Sequence, residues 1–68
     1  MIVVDKFNTY KEVETHLDMA KRCYTIIKQN YIADVVLVNK EGTDGLLEED
    51  IEYEVRLILY DQPVQRDK

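Results

Sequence analysis

Apolar and polar positions alternate with two different periods along this chain, and the change of period divides it into elements. Tyr10, Val13, Leu17, Ala20, Tyr24, Ile27 and Tyr31 follow one another at spacings of three and four residues, the recurrence that lines side chains along one stripe of an α-helix. Thr9 with Glu12 has the spacing of a capping box, in which the hydroxyl accepts from a backbone amide and the carboxylate reaches back, so the pattern predicts a helix starting there. Asp18 and Arg22 form an acid-before-base pair at i,i+4 on its polar side. The β-branched and aromatic content of residues 23–27 leaves open a stop near Arg22 with a strand following, but the stripe favours one long helix.

Elsewhere the period is two. The short run Ile2, Val3, Val4 favours β structure and ends near Phe7 and Asn8. Residues 32–39 and 51–61 are the two best strands. Residues 40–50 connect them, and Gly42 with the pair Asp44-Gly45 supplies turn chemistry. The expected fold is therefore α+β: a single domain of β-α-β-β order over residues 1–61, a three-stranded, largely antiparallel sheet with one long amphipathic helix on one face. Residues 62–68, with Pro63, are expected to form a frayed tail.

One helix covers one side of such a sheet. In the last strand Ile51, Tyr53, Val55, Leu57 and Leu59 make an apolar face for the helix, while the other face begins with Glu52, Glu54 and Arg56 and ends in Ile58 and Tyr60. The preceding strand is apolar on both sides through residues 35–38. A second apolar patch of Val36 and Val38 (or Val35 and Leu37) with Ile58 and Tyr60 is thus expected to lie uncovered, as interfaces do. A symmetric homodimer through the sheet face or the edge of one strand is the expected use of it, with a heterologous partner next.

Sixty-eight residues are too few for a catalytic domain with a separate binding domain, and a chain this short buries little of its surface, which favours self-association or a partner. Fourteen acidic against nine basic residues give a net charge of −5, so the overall field disfavours direct binding to nucleic acid or anionic lipid. Seven of the acids, Glu41, Asp44, Glu48, Glu49, Asp50, Glu52 and Glu54, fall within fourteen residues with no basic residue among them. Such a run keeps a protein soluble, or docks on a basic surface of another protein with Leu46 and Leu47 as apolar anchors.

Chemistry is thinly represented. Asn39, Glu41, Thr43 and Asp50 fall at calcium-loop positions, but the sixth position is Asp44 instead of Gly and the twelfth lacks a bidentate Glu. His16 and Glu12 do not make a closed metal site. Cys23 lies two helical turns from His16, too far for activation, and is read as a small buried hydrophobe. The tyrosines fit core packing better than base stacking. No metal, cofactor or membrane span is expected, and a cytoplasmic location follows from the lone cysteine and the lack of an apolar leader.

The sequence thus points to a small acidic, non-enzymatic module that binds and modulates or inhibits a larger protein with a basic surface. Inhibitors and nucleic-acid mimics of phages or mobile elements share that composition. The alternative is a homodimeric structural or accessory subunit whose acids serve solubility alone.

Overall fold

The computed structural model describes residues 1–61 of the chain; the expected tail lies outside the described residues. The elements run β1 (Ile2–Phe7), α1 (Tyr10–Ile26), β2 (Asn30–Asn39), a 3-10 turn (Glu48–Asp50) and β3 (Ile51–Tyr60). This is the expected β-α-β-β order, and all three strands form one antiparallel sheet with β3 in the middle, in the order β1-β3-β2. Because β1 and β2 are each antiparallel to β3, they run parallel to one another, with β3 inserted between them and α1 as the crossover.

Local chemistry explains both ends of α1. At its start the Thr9 hydroxyl accepts from the Glu12 amide (3.3 Å) and the Glu12 carboxylate accepts from the Thr9 amide (3.1 Å), the full capping box. Arg22 pairs with Asp18 at 3.1 Å. The helix passes through Cys23 and Tyr24 and stops at Ile26, short of the stripe's last members, which corrects the longer reading. Lys28 adopts a left-handed φ of 59°, the Gln29 amide donates to the Tyr24 carbonyl (2.8 Å), and the Lys28 amide donates to the Thr25 carbonyl (3.2 Å). These two bonds make a Schellman stop with lysine where glycine is usual. Ile27 is an exposed cap residue, and Tyr31 belongs to β2.

The core is small. Among the described residues the buried apolar ones are Val13 of α1 and Val55 and Leu57 of β3, ringed by Val3, Phe7, Leu17, Ala20, Tyr24, Tyr31, Val35, Tyr53 and Leu59. Three aromatic pairs tie the helix to each strand in turn. His16 lies against Phe7 of β1 (4.9 Å between centroids), Tyr10 against Tyr53 of β3 (5.6 Å), and Tyr24 against Tyr31 of β2 (5.1 Å). Tyr10, Tyr24, Tyr31 and Tyr53 are thus packing residues, drawn from both layers, while Tyr60 stands outside these pairs. Cys23, expected to be buried, is a free and exposed thiol, because its helix position falls beside the stripe that Ala20 and Tyr24 occupy.

Candidate functional site

The unbroken register of β2 and β3 determines what the uncovered side of the sheet presents. Val55, paired with Val35, and Leu57, paired with Ala33, turn toward α1. By strand alternation Val36 and Val38, not Val35 and Leu37, share the opposite face with Ile58 and Tyr60; Ile58 is exposed there, whereas Val36, Val38 and Tyr60 are half-buried, so the expected patch is uncovered only in part. Register also separates them. Ile58 stands across from Ile32 and from Ile2, while Val36 and Val38 stand across from Glu54 and Glu52. Between the two groups runs a row formed by Val4, Arg56 and Asp34.

The open face is therefore an isoleucine row at one end and a charged strip beyond it. Ile2, Ile32 and Ile58 are 61 %, 50 % and 37 % exposed. Sequence reading found Ile58 and missed Ile2 and Ile32, because which side chains abut across strands depends on register. Arg56 pairs with Glu54 (2.6 Å) and faces Asp34 (3.9 Å), and Lys6 lies 3.7 Å from Glu52. These pairs are partly exposed and contribute little stability each, but they neutralise the middle of the face.

Secondary structure splits the acidic run. Glu52 and Glu54 belong to β3 and are engaged with Lys6 and Arg56. Glu41, Asp44, Glu48 and Glu49 are exposed in the connector, Asp50 is half-buried, and among the described residues none of these five forms an ion pair. The connector is ordered by its own polar groups. The Lys40 amide donates to the Asp50 carbonyl (2.7 Å), the Thr43 hydroxyl donates to the Lys40 carbonyl (2.7 Å), and the Asp44 carboxylate accepts from the Leu46 amide (3.1 Å). Gly45, with φ of 77°, rests against the Asn39 side chain, where a Cβ would collide. Leu46 and Leu47 project from this scaffold, 81 % and 56 % exposed. The hairpin overhangs β1, whose pairing stops at Tyr53, and Leu37, opposite Tyr53 on β2, is 64 % exposed.

His16 is the one described side chain with a buried polar atom lacking a hydrogen bond. Its Nε2 lies 3.5 Å from an Asp5 carboxylate oxygen, in ion-pair range without hydrogen-bond geometry. An open groove of about 480 Å³ beside it is lined by Phe7, Thr9, Lys11, Glu12, Thr15 and Met19. A smaller groove of about 250 Å³ between α1 and β1 is lined by both His16 and Cys23. No group of three or more His, Cys, Asp or Glu is gathered as a metal would need among the described residues, nor is any helix there long and apolar enough to cross a membrane. No protein-family model, curated protein or solved structure matches this chain.

Proposed function

We propose that this chain is a non-enzymatic protein-binding module that docks through the hairpin end, residues 40–50, onto a basic surface of a larger protein and modulates it. What supports this most is one juxtaposition: two leucines held out in solvent by an internally bonded loop, amid exposed carboxylates that form no ion pair among the described residues. Exposing Leu46 and Leu47 gains nothing for the isolated fold, whereas apolar anchors surrounded by steering charge are what a docking surface requires. The loop's own hydrogen bonds limit the ordering entropy that binding must overcome.

Glu41, Glu48 and Glu49 are the acids to neutralise, since Asp44 holds the Leu46 turn and Asp50 is half-buried. The full chain, its E41Q/E48Q/E49Q variant and its L46S/L47S variant are immobilised and exposed to lysate of the native host at low and high salt. A partner recovered by the native chain at low salt, weakened by the charge variant and lost with the leucine variant is the expected result. Equal recovery by all three chains rejects the hairpin end as the contact.

A further inference from the structure

We infer that the outer edge of β2 is a self-pairing surface, on which a second copy of this chain adds its own β2 in antiparallel orientation to form a continuous six-stranded sheet. This edge is distinct from the hairpin end, and the inference does not depend on how that end is read. The two outer strands of the sheet are protected very differently. β1 is six residues long and carries Lys6 together with Asp5, which faces His16 across the helix side. Charges on or beneath a short edge strand are the usual guards against unwanted pairing. β2 is ten residues long, has Asp34 as its lone charge, and contains no Lys, Pro, Gly or bulge.

The pleat determines which peptide groups face away from β3. The Lys40 amide bonds the Asp50 carbonyl in the continuation of the β2–β3 register. Even-numbered residues of β2 therefore direct their peptide groups at β3, and Tyr31, Ala33, Val35, Leu37 and Asn39 direct theirs outward. A two-fold axis at Val35 uses all five. It sets Tyr31 opposite the second copy's Asn39 and the small, exposed Ala33 opposite the exposed Leu37, and lays Ile32 beside Val38 on the open face. Asp34 then faces Val36 of the other copy instead of its own equivalent and keeps its Arg56. Sliding the register two residues toward Tyr31 places Asp34 against Asp34, which is unfavourable. The axis puts both helices on one side of the sheet and points the two hairpin ends in opposite directions, so the acidic tips stay apart.

Sedimentation of the full chain across the micromolar range tests the pairing and is expected to show a dimer. A33P removes an outward amide that β3 does not use, and L37K places a charge at the seam. Each should raise the dimer dissociation constant at least about tenfold, with an unchanged circular dichroism spectrum. In a C23S background, I32C/V38C should oxidise to a covalent dimer, because directly opposed non-hydrogen-bonded positions are about 4.5 Å apart between Cα atoms. Within one copy the same two positions are about 20 Å apart, so the bond can form between copies alone. I32C/V36C, which reports the slipped register, should form no covalent dimer on a non-reducing gel. A monomeric native chain, a dimer unaffected by both A33P and L37K, or cross-linking by I32C/V36C in place of I32C/V38C overturns the inference.

Discussion

Tyr24 of α1 and Tyr31 of β2 pack ring against ring, with centroids 5.1 Å apart and planes inclined at 50°. They lie seven positions apart, so in sequence they look like two turns of one helix. In the fold the chain reverses between them at Lys28, and the pair joins helix to sheet. A double-mutant cycle with Y24L and Y31L is expected to give a coupling of about 0.5–1.5 kcal/mol in urea unfolding. Additive effects from the two substitutions would show that the rings do not meet.

The reversal itself is under strain at one residue. Lys28 holds φ at 59°, where a Cβ is disfavoured by about 1–2 kcal/mol, and the Schellman bonds from Lys28 and Gln29 keep it there. Replacing it by glycine relieves the strain but adds freedom to the unfolded chain and removes a favourable charge from the helix C-terminus. The net expectation is a gain of about 0.5 kcal/mol, or a few degrees in Tm, for K28G. K28V, with a β-branched side chain at the same φ, should lower Tm. A K28G variant that melts below the native chain would contradict the left-handed stop.

Features that depend on a few neighbouring residues were legible in the sequence, and those that depend on register were not. The capping box needs only Thr9 and Glu12, four residues of chain, and it is present as read. The end of α1 was obscured because lysine stands where glycine would have announced the turn, and because Tyr31 continues the helical spacing by coincidence. Alternation put Ile58 and Tyr60 on one face but left open whether Val36 and Val38 or Val35 and Leu37 join them, and the pairing of β2 with β3 decides for Val36 and Val38. Nothing local says that β1 lies against β3, so the row of Ile2, Ile58 and Ile32 was not foreseeable. The acidic run looked uniform because composition ignores pleat: Glu52 and Glu54 pass into β3 and find cations, while Glu41, Glu48 and Glu49 remain at the tip.

Two glycines in the hairpin connector share a left-handed φ but differ in their surroundings. A Cβ at Gly42 meets open space, whereas one at Gly45 runs into the Asn39 carboxamide. G42A should therefore cost about 1 kcal/mol from backbone strain alone, and G45A should cost more. Shortening the obstructing side chain with N39A ought to recover part of the G45A loss and none of the G42A loss. The midpoints of urea unfolding for the four chains decide it, and equal losses at both glycines would remove Asn39 from the loop's architecture.

The isoleucine row offers the sharpest check on which face of the sheet is bare. Ile2 and Ile58 are paired across β1 and β3, and they remain 61 % and 37 % exposed. Core truncation in so small a fold is severe: L57A removes a side chain that is 2 % exposed and should cost about 3 kcal/mol. Threonine at Ile2 or Ile58 keeps the β-branched shape and adds a hydroxyl that solvent can satisfy, so I2T and I58T should each shift stability by less than about 1 kcal/mol. Both should also reduce binding of a hydrophobic dye such as ANS to the folded chain, because the apolar row is what such a dye would find. If I2T and I58T destabilise the protein as strongly as L57A, the row is buried and the face is not open.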